Sequence, residues 1–263
     1  MRRLAFACVA LAATLTCSPS VGRVLLFDDF SGSHLDASKW TVNQARAGNV
    51  RVDNGVVELR NGGTLVTARQ YDPKKLGGIK ITGQYTTLTG FSDTMIVQSR
   101  SDGGLARTGR KPNGIYADFK AGSAPLYPAR FRSASIKESA SPDNANELAR
   151  TYYDTQIGLG DTFFFDYIDT GDRMILEITD TNGKMTASVT ATSGLRSALN
   201  FAAISNRENI GKERLSVIDN ITISTLSEVP VPGAMVLTLS AFTALAGVYW
   251  RSRHHGEHAG VDS

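Results

Sequence analysis

Two carboxylates on one face of a strand would be the clearest sign of catalysis in this sequence. Acids at an even spacing on a β-strand point to the same side of a sheet, and glycoside hydrolysis uses such a pair. The pattern Glu-x-Asp-x-Glu does not occur in the chain. Glu177 and Asp180, the nearest pair on a predicted strand, have an odd spacing that places them on opposite faces. The sequence therefore predicts no catalytic residues, and the isolated acids are interpreted as solvated surface groups.

Histidine and cysteine are too sparse for a metal centre or a catalytic triad. His34 is the one histidine before the C-terminal tail, and His254, His255 and His258 lie in that tail. A weak metal site there competes with the simpler interpretation of a solvated tail. Because the domain holds one histidine and no cysteine, neither a zinc site nor a Ser-His-Asp set is predicted.

Aromatic side chains are the remaining candidates for ligand chemistry. An exposed ring can stack on the apolar face of a sugar while its polar edge stays hydrated. Tyr127, Tyr152 and Tyr153 lie in the less regular stretches and are the candidate sugar-binding residues. Burial in the core is nevertheless the favoured interpretation for each of the three, and it is also the favoured one for Trp40.

The elements that must position these residues are strands. Period-two patterning recurs along the chain, as in 78–88, 94–100, 115–120 and 173–178, and Gly- and Asn-containing turns separate the segments. This pattern predicts an all-β fold, a two-sheet antiparallel jelly-roll sandwich over residues 23–228. A helix fits at one place, 142–150. Residues 99–113 are predicted to form a long loop.

The N-terminal residues 1–22 are predicted to be a signal peptide. Arg2 and Arg3 precede an apolar run over 4–15, and Ser18 and Ser20 suit a cut before residue 21. A first core helix and a lipoprotein at Cys17 are the alternatives. Both cysteines of the chain, Cys8 and Cys17, lie in this segment.

The charge of the domain is nearly balanced. Four of the 28 basic residues and two of the 25 acidic ones lie in the end segments, which leaves 24 against 23. No basic stripe with interleaved aromatic residues is present. The balance therefore argues against nucleic acid as a partner.

A second apolar segment near the C-terminus is predicted to cross a membrane. Residues 234–250 carry no charge and would span about 26 Å as a helix. Tyr249 and Trp250 end the segment as interfacial aromatic residues do, and basic residues follow at once. The tail 254–263 is therefore placed in the cytoplasm and the domain outside. A buried core helix is the competing interpretation.

The residues around that segment resemble a PEP-CTERM protein-sorting signal. Val229, Pro230, Pro232 and Gly233 precede the apolar span, and Arg251 and Arg253 follow it. The resemblance covers 229–253, with valine at 231 where glutamate is typical and a longer tail than usual. It implies a Gram-negative bacterium, an exosortase-like processing enzyme as partner, and a destination in the cell envelope or outside the cell.

The two ends of the domain are similar to the concanavalin A-like lectin and glucanase superfamily. The opening Leu-Phe-Asp-Asp-Phe-Ser-Gly at 26–32, with Leu-Asp at 35–36 and Trp40, resembles the start of those domains, and 217–223 resembles their last strand. The resemblance implies that the first and last strands pair. It also implies that an aspartate of the last strand can help to bind a structural calcium ion.

Calcium is accordingly a predicted cofactor. If the end strands pair, Asp219 comes close to Asp28 or Asp29, and a hard cation would relieve the repulsion between their carboxylates. The alternative is that Asp219 faces water or pairs with a basic group.

Taken together, the sequence predicts an exported, C-terminally sorted envelope protein whose non-catalytic sandwich binds polysaccharide. One rival is a glycan-active enzyme, a hydrolase or a lyase, with a non-standard site. The other is a purely structural surface or matrix protein. The enzyme requires clustered carboxylates in a groove, the binding protein requires exposed aromatic rings without them, and the structural protein requires neither.

Overall fold

A computed structural model describes residues 22–44, 49–88, 92–104, 113–122, 132–141, 144–155, 157, 160–196, 199–207 and 214–226. Residues 1–21 of the predicted signal peptide, the predicted sorting segment 229–253 and Tyr127 lie outside these ranges. The described chain forms fifteen strands: β1 (Val24–Asp28), β2 (Trp40–Asn43), β3 (Val50–Asp53), β4 (Val56–Arg60), β5 (Thr64–Gln70), β6 (Ile79–Thr87), β7 (Ser92–Ser101), β8 (Gly114–Gly122), β9 (Ser133–Ser141), β10 (Asn144–Tyr152), β11 (Thr162–Asp169), β12 (Arg173–Asp180), β13 (Met185–Thr192), β14 (Phe201–Asn206) and β15 (Leu215–Thr225).

The strands form two sheets in which every pairing is antiparallel. The eight-stranded sheet has the order β13-β12-β11-β6-β15-β4-β3, and β1 also pairs with β15. The seven-stranded sheet has the order β10-β9-β8-β7-β14-β5-β2. The predicted two-sheet antiparallel sandwich is therefore confirmed. No helix long and apolar enough to cross a membrane occurs among the described residues.

Alternation of side chains accounts for the layers. Buried and half-buried residues alternate along β6, and β12 follows the same pattern for most of its length. One set of side chains from each sheet meets in a single core, as period-two patterning requires. Turns join the strands where residues adopt positive φ, at Gly171 (φ 92°) and Gly183 (φ 79°) among others. These are hairpin positions predicted from the sequence.

The two ends of the chain meet in the eight-stranded sheet. β1 pairs with β15, with Asp28 opposite Ile221. The predicted pairing of the first and last strands is therefore confirmed. Trp40 is buried in the core, as predicted, and its indole Nε1 donates to Asp28 Oδ2 at 2.8 Å.

Two local predictions need correction. The stretch 142–150, where a helix was considered, forms β10 from residue 144 onward and pairs with β9. Pairing with β9 provides the backbone hydrogen bonds that such a short helix would have made within itself. The loop placed at 99–113 begins later, because β7 continues to Ser101.

A buried ion pair joins the two sheets at one end of the sandwich. Arg100 of β7 donates from Nε to Asp169 Oδ2 of β11 at 2.9 Å, and the two side chains are 3% and 0% exposed. Asp169 also accepts from Ser99 Oγ at 2.6 Å and from the Gly171 amide at 2.7 Å. Arg100 reaches this position with φ at 47°, a conformation that is unusual for a residue other than glycine.

Candidate functional site

The two adjacent candidate tyrosines point in opposite directions. Tyr152, at the end of β10, is 61% exposed, and the Arg150 guanidinium lies 5.8 Å from its ring centroid. Tyr153 is 5% exposed, stacks on Phe119 with centroids 5.0 Å apart, and donates from its hydroxyl to the Lys120 carbonyl oxygen at 2.6 Å. Tyr152 is therefore available to a ligand, whereas Tyr153 belongs to the core.

The predicted calcium ligands are only partly brought together. Asp28 is buried, and its two carboxylate oxygens accept from the Phe30 amide at 3.0 Å and from the Trp40 indole. Asp219 accepts from the backbone and side-chain nitrogens of Asn220 at 2.7 and 2.8 Å. Burial raises the pKa of Asp219, and the charge of Asp29 adds to that rise.

These contacts provide a poor set of calcium ligands. Both oxygens of Asp28 and both of Asp219 already accept hydrogen bonds, while Asp29 is exposed and accepts from the Ser31 amide at 3.2 Å. Within the described ranges no three His, Cys, Asp or Glu side chains come together to hold a metal ion. Calcium at these aspartates stays a prediction.

The outer face of the seven-stranded sheet carries the other concentration of functional groups. Its strands bury one set of side chains in the core, among them Val97, Ala117, Phe119 and Ile136. The alternate set points away from the core. There, Ile96 and Tyr116 form a separate small cluster with Ala145. The register of the strands arranges this alternate set in three rows that cross the sheet.

The rows follow from the strand pairing. The Lys120 row consists of Tyr152, Ser133, Lys120, Thr94 and Arg207; the Asp118 row consists of Arg150, Ser135, Asp118, Ile96 and Ser205; and the Tyr116 row consists of Glu147, Lys137, Tyr116, Gln98 and Ala203. Burial decreases toward β10, where Glu147, Arg150 and Tyr152 are exposed.

Two carboxylates of this face are neutralised by neighbouring cations. Asp118 pairs with Lys137 and also accepts from Ser135 Oγ at 2.5 Å. Glu147 accepts from Arg150 Nε at 3.0 Å and lies 4.0 Å from Lys137 Nζ. Lys137 in turn lies 5.9 Å from the centroid of the Tyr116 ring. Burial, with the Asp118 charge as a second cause, raises the pKa of Tyr116, so its hydroxyl stays protonated.

The Lys120 row holds two cations, Lys120 and Arg207. Neither makes an ion pair with the residues that the structure describes. Lys120 pairs with Thr94 across the β7–β8 ladder, and the Arg207 amide donates to the Thr94 carbonyl oxygen at 3.0 Å on the other side. Burial lowers the pKa of Lys120, and the charges of Lys137, Arg150 and Arg207 lower it further against the opposing effect of Asp118. The row therefore holds positive charge that the described residues leave without an ion pair.

Buried hydroxyls without partners lie beside these cations. Ser133 Oγ in the Lys120 row and Ser205 Oγ in the Asp118 row are buried and have no hydrogen-bond partner among the residues that the structure describes. A buried polar atom without a partner costs about 1–3 kcal/mol. A buried polar atom without a partner needs an explanation. One explanation is that a ligand supplies the hydrogen bond when it binds.

Sequence reasoning identified only part of this face. The alternation over 115–120 predicts a strand, in which Tyr116, Asp118 and Lys120 share one face. The neighbours of that strand were not recognised, because Lys137, Glu147 and Arg207 join it only through sheet register. Sequence spacing carries no direct signal of register between distant strands.

Comparisons with known proteins give the fold. No family model matches the sequence, and none of the curated proteins is similar to it in sequence. Among solved structures, the exoplasmic/lumenal domain of VIP36 in a Ca²⁺- and Man2-bound form is 12% identical, with a TM-score of 0.55 over 79% of this chain and 90% of that chain.

Two further structures support the same conclusion. Winged bean acidic lectin in complex with methyl-α-D-galactose has a TM-score of 0.52 and 10% identity, over 76% of this chain and 98% of that one. The CBM2 module of the evolved Dit protein of Lactobacillus casei BL23 phage J-1 has a TM-score of 0.52 and 9% identity, over 80% and 99%. The chain thus has the concanavalin A-like, lectin-type jelly-roll fold. At these identities the likeness concerns the fold alone.

Proposed function

We propose that the domain is a non-catalytic module that binds acidic polysaccharide on the outer face of its seven-stranded sheet. The observation that carries the proposal is the Lys120 row, in which two cations that make no ion pair with the described residues lie in line with an exposed tyrosine ring.

The dimensions of the row suit a chain-like ligand. From Tyr152 to Arg207 the row crosses four strand spacings, or about 19 Å. This length favours an oligosaccharide over a single sugar. Tyr152 offers an exposed ring at the β10 end of the row.

The net positive charge of the three rows favours an acidic ligand. The three rows hold four basic side chains, Lys120, Lys137, Arg150 and Arg207, against two acidic ones, Asp118 and Glu147. A positive surface attracts negatively charged polymers, and the partly buried position of Lys120 strengthens each contact relative to one in bulk water. Uronate carboxylates are therefore the groups that the face is expected to bind. VIP36 and winged bean acidic lectin, which share the fold, are bound to sugars in their structures.

The proposal places the protein outside the cytoplasm. Residues 1–22 would direct export, residues 229–253 would direct sorting by an exosortase-like enzyme, and 234–250 would anchor the chain in the inner membrane before processing. An extracellular acidic polysaccharide would then be accessible to the domain.

The paired state of the two carboxylates favours binding over hydrolysis. Asp118 is paired with Lys137 and Glu147 with Arg150. A glycosidase needs one carboxyl that delivers a proton to the leaving group, and neither of these stands free. We therefore propose no catalytic residue.

Binding of defined oligosaccharides to the purified full chain tests the proposal. Isothermal titration calorimetry with a galacturonate hexamer is expected to show binding that weakens at high salt, because salt screens exposed charges. The variants Lys120→Met and Arg207→Gln are each expected to lower the affinity about tenfold, equivalent to about 1.4 kcal/mol.

Lys184→Met, in the turn between β12 and β13, is the matched control and should bind as the wild type does. Equal affinity of wild type, Lys120→Met and Arg207→Gln would refute the proposed surface. Release of shorter oligosaccharides during the titration would instead support the enzyme hypothesis.

A further inference from the structure

The outer face of the eight-stranded sheet, on the opposite side of the sandwich, has its own depression. It is open to solvent and has a volume of about 390 Å³. Its polar and aromatic lining comes from Lys80, Thr82 and Gln84 of β6, Phe164 and Asp166 of β11, and Asn220 of β15. This volume lies within the range of small-molecule sites.

The aromatic ring of Phe164 lies on the outer face of the sheet and does not pack into the core. Alternation buries Phe163, Phe165 and Tyr167 in the core and leaves Phe164 on the outer face with 39% exposure. Phe164 is paired across the sheet with Gln84. An apolar ring beside an amide is suited to contact the C–H face and a hydroxyl of one pyranose at the same time.

The backbone of β15 is distorted at the same place. The register with β6 shifts between Asp219 and Thr222, and Asn220 within this bulge has φ at 52°. Strained backbone conformations of this kind are often found at ligand sites, and bulges redirect side chains. Here the bulge turns Asn220 into the lining of the depression.

The redirected amide keeps an acceptor for a ligand. Asn220 donates its side-chain nitrogen to Asp219 Oδ2 at 2.8 Å. Its Oδ1 has no partner among the described residues, so the oxygen is able to accept from a ligand hydroxyl.

The depression is electrically balanced, unlike the face of the other sheet. Its two charged groups form an ion pair, with Lys80 Nζ 2.7 Å from Asp166 Oδ2. A balanced lining gives no preference for an acidic ligand.

We infer that this depression is a second saccharide site, which takes a neutral pyranose unit. The sugar ring packs on Phe164, and its hydroxyls bond with Gln84, Asn220 and Asp166. This inference does not depend on the proposed function, because the two sites lie on different sheets and differ in charge.

Saturation-transfer NMR on the purified full chain, with the neutral hexasaccharides of cellulose, laminarin and β-mannan as probes, tests the inference. At least one probe is expected to bind, and Phe164→Ala is expected to weaken its affinity at least tenfold. Phe164→Leu keeps an apolar side chain but removes the ring, so it separates loss of stacking from loss of folding. Asn220→Gly suits the positive φ and removes the amide, and it should also weaken binding.

Two controls keep the sites distinguishable. Phe27→Ala removes another exposed phenylalanine of the same sheet, outside the depression, and should leave binding unchanged. Arg207→Gln tests the acidic-polysaccharide face and should also leave neutral binding unchanged. The inference is overturned if no probe binds, if Phe164→Leu and Asn220→Gly bind as the wild type does, or if Phe27→Ala loses as much affinity as Phe164→Ala.

Discussion

Two charged clusters of this molecule use similar residues for different purposes. The Arg100–Asp169 cluster lies between the sheets, and the carboxylate there accepts from Ser99, Arg100 and Gly171. Among the described residues, the cluster on the outer face of the seven-stranded sheet leaves Lys120 without an ion pair and Ser133 Oγ without a hydrogen bond. A saturated cluster stabilises a fold, whereas an unsaturated one keeps its capacity for a ligand.

The cost of burial explains the difference. A buried charge is tolerated only when its partners are complete, and removal of one partner costs about 3–5 kcal/mol. Arg100 therefore has further acceptors, the carbonyl oxygens of Gly171 and Leu195, each at 2.9 Å. Lys120 is only half-buried, so its charge costs less to bury, and that remaining cost lowers the pKa of the ammonium group.

The largest expected effect comes from Asp169→Asn. The substitution keeps the size of the side chain but leaves the Arg100 guanidinium without its counter-charge, so the free energy of unfolding should fall by about 3–5 kcal/mol. Urea denaturation of the full chain, followed by near-ultraviolet circular dichroism, measures this.

Asp172→Asn is the matched control for that change. Asp172 is also paired with an arginine, Arg196 at 3.4 Å, but it is 70% exposed. An exposed pair contributes about 0–1 kcal/mol, so the control should unfold nearly as the wild type does. Equal losses in the two variants would show that the stabilising effect of the Arg100–Asp169 pair does not come from its burial.

A smaller effect distinguishes the two adjacent tyrosines. Tyr153→Phe removes the hydrogen bond to the Lys120 carbonyl oxygen and should cost about 0.5–1.5 kcal/mol of stability. Tyr152→Phe should change stability by less than about 0.5 kcal/mol, since Tyr152 is at the surface. Thermal unfolding of the two variants in parallel tests this, and a reversed order would contradict the assignment of Tyr153 to the core.

The parts of this fold that the sequence predicted are those with a local signal. The turn glycines Gly171 and Gly183 mark hairpins because few other residues adopt positive φ. The opening motif with Trp40 resembles the start of concanavalin A-like domains, and that resemblance predicted the pairing of the first and last strands. The sequence also allows a helix over 142–150, but the pairing of β10 with β9 outweighs that local preference.

The candidate sites could be predicted only in part, because they depend on contacts between distant strands. Tyr152 is a candidate because of its residue type and its expected place in a less regular stretch, although it ends strand β10. Lys120 and Arg207 become neighbours only because β7 lies between β8 and β14. Phe164 is one of three consecutive phenylalanines, and no sequence rule tells which of them faces solvent before the register is known.

The smallest expected effect concerns pH. Because burial lowers the pKa of Lys120 below 10.5, the value of an exposed lysine, the folded protein loses this charge in a window below 10.5 while the unfolded chain still holds the proton. In that window the contribution of Lys120 to the free energy of unfolding rises with pH, since the unfolded state binds more protons. The attraction of the Lys120 row for a uronate falls in the same window, because a neutral amine does not attract a carboxylate. Affinity for the galacturonate hexamer should therefore decline as pH rises toward 10.5.

Lys120→Arg, which stays charged at these pH values, should remove that part of the decline. Tyrosines titrate near the same pH, so the informative quantity is the difference between wild type and Lys120→Arg across pH 7 to about 10. Identical pH profiles for the two proteins would exclude Lys120 from the binding face.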